Sequence, residues 1–164
     1  MAKIKMYGTQ EYAIKLSKLS TNSQAVAEKA IQEAAGIIAN QVRANIQAPP
    51  AVKDIENIKA YKEGRKAHLS IKQKQGLLES LGITPVALDN GFYNAKIGFD
   101  GYNGIRTKKY PKGQPNQLIA RVAESGSTYM DKTPFMRKAL TGWRGKALQK
   151  VREVIDKGRG RIMK

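Results

Sequence analysis

The sequence contains no cysteine and a single histidine. Without cysteine there are no disulfides, no thiolate metal sites and no thiol nucleophiles. His68 stands in a basic stretch with no carboxylate cluster beside it in the chain. Neither a serine–histidine–acid constellation nor a histidine metal site is therefore expected. Acidic residues are also scarce, 13 Asp+Glu in all. A metal-dependent nuclease needs several convergent acids or histidines, and no such spacing occurs. Asp54 and Glu56, one residue apart, read as an ordinary solvated pair. No apolar run approaches the roughly 20 residues that span a bilayer. No apolar leader stands near Met1-Ala2-Lys3-Ile4, which reads as a plain cytosolic start. The glycines include no G-x-x-x-x-G-K-[ST] phosphate loop. The expectation is a chain with no catalytic residues, no cofactor, no metal and no membrane partner.

What the sequence has in excess is positive charge. Thirty Lys+Arg leave a formal net charge of +17 over 164 residues. That exceeds what solubility needs and points to an anionic partner, whether nucleic acid, a membrane surface or an acidic protein. The length suits one domain, residues 1–164, with a real core.

The pattern of apolar residues implies an α+β fold. Lys3 to Met6 alternates weakly, as a short edge strand would. Thr9 begins a helix through Leu19, with Tyr12, Leu16 and Leu19 on one face. Thr21-Asn22-Ser23 reads as a loop and the next cap. A long helix then runs from Gln24 to Gln47 on Val26, Ala30, Ala34, Ile37, Ile38, Val42 and Ile46. Pro49-Pro50 ends it. Residues 51–74 are crowded with lysine and arginine and read as a basic insertion, either a solvated helix or a mobile loop. Leu77, Leu78 and Leu81 close a short helix that ends at Gly82. Ile83–Leu88 and Phe92–Phe99 flank Asp89-Asn90-Gly91, a strong hairpin signal because Asn-Gly tolerates positive φ. In the return strand Tyr93, Ala95, Ile97 and Phe99 share one face.

Asp100 to Gln114 is a glycine-rich basic loop. Its Arg106, Lys108, Lys109 and Lys112 lie between Tyr102 and Tyr110, a pattern suited to phosphate contact and base stacking. As a plain surface loop it would need no such role. Pro115 and Asn116 start a helix on Leu118, Ile119 and Val122 that Gly126 stops. Ser127 to Asp131 is extended. Thr133 reads as an N-cap and Pro134 as the first residue of a last helix to about Lys157. Gly142 and Gly145 imply a bend or a close neighbour beside Trp143. Residues 158–164, with Arg159, Arg161 and Lys164 among glycines, read as a flexible basic tail. The expected architecture is a small antiparallel sheet with a central β-hairpin packed against two long helices.

Three motifs occur in a telling order. Glu124-Ser125-Gly126-Ser127, a spacer, and then Thr133-Pro134-Phe135-Met136-Arg137-Lys138-Ala139 form the last. Gln75-Gly76-Leu77-Leu78-Glu79-Ser80-Leu81 before a hairpin forms the second. Gly8-Thr9-Gln10-Glu11-Tyr12 with Leu16 and Leu19 forms the first. Together they resemble the gene-ten-like minor tail component family of lambdoid and related long-tailed, siphovirus-type bacteriophages. That family includes tail completion proteins at the head–tail joint. The signature residues are Glu124, Gly126, Ser127, Pro134, Phe135, Arg137 and Ala139. The 51–74 stretch departs from the family pattern, being longer and more basic. The resemblance implies a structural virion protein of the tail and neck, assembled in the host cytoplasm. It implies a homo-oligomeric ring of sixfold symmetry, docked to the connector and to tail-tube or tail-terminator proteins. Arg106, Lys108, Lys109, Lys112, Arg159, Arg161 and Lys164 are the candidate contacts to acidic neighbours or to DNA in the channel. The alternative is a basic nucleic-acid-binding module without catalytic activity.

Overall fold

Two long helices form the spine of the computed structural model, which describes residues 9–163. Helix α1 spans Thr9–Gln47 and helix α5 spans Met136–Met163. Between them come α2 (Asp54–Lys62), α3 (Ile71–Ser80), four three-residue strands, and α4 (Asn116–Ser125). The strands are β1 (Leu81–Ile83), β2 (Ala87–Asp89), β3 (Phe92–Asn94) and β4 (Ile97–Phe99). The class is α+β with a small antiparallel sheet component. The expected strand at Lys3 to Met6 lies outside the described residues.

Helix α1 is unbroken where a loop was expected at Thr21-Asn22-Ser23. Thr, Asn and Ser inside a helix cost only about 0.5 kcal/mol each against alanine. At 39 residues, α1 is about 58 Å long at 1.5 Å per residue. The two helices run antiparallel: Val26 of α1 meets Gly158 of α5, while Asn45 of α1 donates to the Phe135 carbonyl at the start of α5. They pack chiefly on each other. Ala30, Ile38, Val42 and Ile46 of α1, with Ala139 and Val154 of α5, are buried.

The expected flexible tail is helical. Helix α5 continues through Gly158 and Gly160 to Met163. The reason is local packing. A Cβ on Gly158 would lie 2.7 and 2.8 Å from the two methyls of Val26, so the absent side chain lets the helices touch. Gly142 and Gly145 were expected to mark a bend or a close neighbour; neither has anything within 4 Å of an added Cβ, so no close neighbour requires them. Near the same end, Lys150 lies 3.3 Å from Glu33 of α1 and 3.4 Å from Glu153, and Lys157 lies 2.5 Å from Glu153. The hydrogen bond from Lys157, then the Lys150 charge, hold the Glu153 carboxyl below its ordinary range. A depressed carboxyl stabilises the fold above its ordinary pKa and loses that contribution as pH falls through the folded value. This exposed clasp therefore weakens in acid and in high salt.

The hairpin turn is as the sequence implies. Asn90 and Gly91 take φ of 50° and 82°, as a two-residue primed turn requires. The ladder, however, is split. Leu81, Gly82 and Ile83 pair with Phe99, Gly98 and Ile97, and Ala87, Leu88 and Asp89 pair with Asn94, Tyr93 and Phe92. Four steps separate Ile83 from Ala87, but three separate Asn94 from Ile97, so the first strand carries one extra residue. Pro85 sits there, and a bulge is where a residue without an N–H is tolerated. Strands β1 and β3 lie beside α1, β4 lies beside α4, and Phe99 meets Phe135 edge-on at 5.7 Å.

The basic stretch 51–74 is stapled at both ends. Val52 bridges to Ser70, and Ala67 bridges to Met130. The Asn57 amide exchanges two bonds with the His68 backbone, at 2.9 and 3.0 Å. Ser70 and Gln73 form a capping box that starts α3 earlier than the leucines alone imply. Lys74 donates to the carbonyls of Gln47 and Pro49, both at 2.6 Å, and so satisfies the C-terminus of α1.

The glycines of α5 provide a test. Gly142→Ala and Gly145→Ala should each raise the unfolding free energy by about 0.5–1 kcal/mol. Gly158→Leu should lower it by about 1–3 kcal/mol through overpacking, with partial recovery on adding Val26→Ala. Denaturant melts of the four variants check both signs.

Candidate functional site

The stretch carrying the family signature is built as a joint between α4 and α5. Helix α4 ends at Ser125, and Gly126 leaves it at φ 75° with its N–H on the Val122 carbonyl. Two residues before that glycine, Glu124 turns its carboxylate onto the start of α5. One oxygen accepts from the N–H of Phe135 at 2.8 Å and of Met136 at 2.9 Å; the other accepts from Arg137 at 2.9 Å. These are N–H groups that a helix start leaves without internal partners, and the carboxylate also suits the positive end of the helix dipole.

The expected cap, Thr133, does not do this. Its own N–H goes to the Ala123 carbonyl at 2.7 Å, and regular helix begins at Met136 rather than Pro134. A carboxylate eleven residues upstream reaches further than a threonine hydroxyl, and it satisfies three donors instead of one. Between the helices the Ser127 hydroxyl accepts from Tyr129 and Met130, closing a tight turn. Asp131 N–H and the Tyr129 carbonyl bond to Ala67 on either side. Phe135 and Ala139 are fully buried, and the Phe135 carbonyl accepts from Asn45. Glu124, Gly126, Ser127, Phe135 and Ala139 thus hold the joint together. Pro134 is half-buried, and the Arg137 side chain faces solvent.

The joint also places His68 3.6 Å from Asp131, through the Ala67–Met130 bridge, so the histidine does have one carboxylate beside it. Both side chains are exposed. No group of three metal-ligating side chains occurs among the described residues.

The basic loop is anchored by a residue that charge reading missed. Asn103 is buried, and its side-chain oxygen accepts from Ile105 and Gln114 at 2.9 and 3.2 Å. Its N–H goes to the Gln114 carbonyl, and Tyr102 bridges to Pro115. Gly113 closes the loop at φ 109°, where an added Cβ would fall 2.0 Å from the Asn103 carbonyl oxygen. Asn116 and Gly76 complete the anchor: Asn116 donates to the Asp100 carbonyl, and its oxygen would lie 2.8 Å from a Cβ on Gly76. The D-G-Y-N-G string signalled a turn, but not that Asn103 would be its centre.

From this base Arg106, Lys108, Lys109 and Lys112 all project into solvent. None forms an ion pair with a described residue; Lys109 lies 5.6 Å from the Tyr110 ring centre. Tyr102 is exposed beside them. Arg159 is exposed on α5, remote in sequence from the loop; Arg161 is helical in backbone, and Lys164 lies outside the described residues. The structure therefore groups the four loop cations and leaves Arg159 on a separate element. No helix among the described residues is long and apolar enough to cross a membrane.

Two substitutions separate the cap that is present from the one expected. Glu124→Ala should lower the unfolding free energy by about 2 kcal/mol, while Thr133→Ala should change it by no more than about 0.5 kcal/mol. Chemical denaturation measures both.

Comparison with family models, with characterised proteins and with solved structures returns no match for this chain.

Proposed function

We propose that this chain is a structural component of a long-tailed phage virion, a minor tail or tail completion protein that joins head to tail. It works by assembling as a ring at the neck, sixfold as the family resemblance implies, and not by catalysis or through a cofactor. The partners are further copies of itself, the connector above, and tail-tube or terminator proteins below. It passes from host cytoplasm into the virion.

The observation that carries this reading is the ordered set of three motifs that resembles the family. The division of labour among residues supports it. Five of the seven signature residues hold an internal joint, which is what an assembly subunit needs to present its surfaces at fixed angles. The cations are spent elsewhere, on an anchored loop that offers Arg106, Lys108, Lys109 and Lys112 to an acidic surface. In a +17 chain, such a cluster attracts anionic partners and repels its own copies, so the loop fits a neighbour of different kind or DNA. The same loop, with Tyr102 exposed beside it, also favours the second reading, a nucleic-acid-binding module.

Charge reversal at all four loop cations should leave thermal stability unchanged and reduce virion yield at least about ten-fold in a complementation assay. Normal yields from that variant would remove the loop from the account. Tight duplex or single-strand binding by the wild type near physiological salt, with a steep salt slope, would instead favour the nucleic-acid module.

A further inference from the structure

Apart from the exposed Ile55, Ile58 and Tyr61 of α2 and the neighbouring Tyr129, two apolar surfaces on the outside of the molecule have opposite shapes. The first projects. At the tip of the β2–β3 hairpin Leu88 is 62% exposed and Phe92 76% exposed. Asp89 pairs across the ladder with Phe92 and shares its face, Leu88 lies on the opposite face, and Asp89 forms no ion pair with a described residue. The second is a groove of about 690 Å³ between α1 and α5. Ile31, Ala34, Ile38, Leu140, Ala147 and Leu148 line it, with Arg144 as its one charged lining residue. Leu140 and Leu148 are 52% and 51% exposed, and Arg144 has no acidic partner among the described residues.

Large apolar side chains held out on a tight turn are unfavourable in a monomer and mark a contact. The groove has the size and lining of a site that buries an apolar group. The charges match as well. Among so many cations, the tip carries a carboxylate beside its apolar residues, and the groove carries a free guanidinium beside its own. We propose that the hairpin tip of one copy seats in the α1–α5 groove of a second copy. The tip enters edge-on: Phe92 and Asp89, on one face, meet the α5 wall with Asp89 facing Arg144, and Leu88, on the other face, meets Ile31, Ala34 and Ile38 of the α1 wall. Two different surfaces meet, so the contact is heterologous: each copy uses its tip on one neighbour and its groove on another, which generates a ring when the rotation closes. Closure into a ring rests on the neck reading above; the tip–groove contact does not.

The test is the mass of the purified full chain by light scattering across a concentration series. At about 0.15 M salt the screening length is about 8 Å, which limits repulsion between copies. The wild type should form an oligomer of defined mass. Leu88→Ser with Phe92→Ser, and separately Leu140→Gln with Leu148→Gln, should each weaken association by about ten-fold or more. All four side chains are at least half exposed, so the unfolding temperature should hold, and that is measured alongside. Mixing the two variants should yield dimers and nothing larger, because each pair keeps one intact tip and one intact groove. Asp89→Arg and Arg144→Asp should each weaken assembly, and together they should restore it. A wild type that stays monomeric throughout overturns the proposal and leaves the groove to another protein. So does an oligomer indifferent to both variants, or a mixture that forms no dimer. The neck reading is judged separately, by whether particles lacking this chain hold heads and tails together.

Discussion

The structure depends on one carboxylate. Glu124 takes three backbone N–H groups at the start of α5 and so fixes where that helix begins and the angle at which it leaves α4. Everything on α5 follows from this. Phe135 is set into the core against Phe99, its carbonyl is offered to Asn45 of α1, and the helix is aimed along α1 so that Gly158 reaches Val26 at the far end. Without those bonds, several backbone donors at a partly buried helix start would lack partners, at a cost of about 1–3 kcal/mol for each fully buried one. The order in the chain, an acid before a glycine turn and then Pro-Phe-Met-Arg, is what this geometry requires. The acid must sit in the last turn of α4, the glycine must reverse the path, and the phenylalanine must enter the core as α5 begins.

Much of this was legible from residue pattern alone. The apolar stripe of Gln24 to Gln47, the Pro49-Pro50 stop, the Asn90-Gly91 turn and the α4 helix follow from periodicity and backbone sterics, and all are present; of the expected α4 face of Leu118, Ile119 and Val122, Leu118 is exposed. Several of the misreadings share one cause, pairing between residues far apart in sequence; the loop expected at Thr21-Asn22-Ser23 instead overweighted a small propensity cost. Thr133 looks like a cap by local chemistry, but Glu124 outcompetes it from another helix. Residues 51–74 look loose because their order comes from bridges to Ser70 and Met130, and from amide bonds that have no period. The terminal glycines read as flexible because nothing local shows that Val26 would lie against Gly158. Asn103 carried no signal beyond its glycine neighbours, yet it anchors the loop that the charge pattern did identify.

The positive charge is distributed by role. Lys74 satisfies the end of α1, and Lys150 and Lys157 clasp α5 to itself and to Glu33. The loop cations do no such internal work, and they stand on a loop anchored by the buried Asn103 and Asn116. Helix α5 carries both kinds, since Arg137 and Arg159 face solvent on it, whereas the loop cations are all of the second kind. An assembly subunit needs the first kind to keep its shape and the second to meet anionic neighbours.

The most direct measurement for the neck assignment is electron microscopy of particles made by a phage or prophage from which this gene has been deleted. The account predicts DNA-filled heads beside finished tails of normal length, unattached to one another. Tails of irregular length would move the protein from the joint to tail-length termination. Intact infectious virions would contradict the structural role altogether.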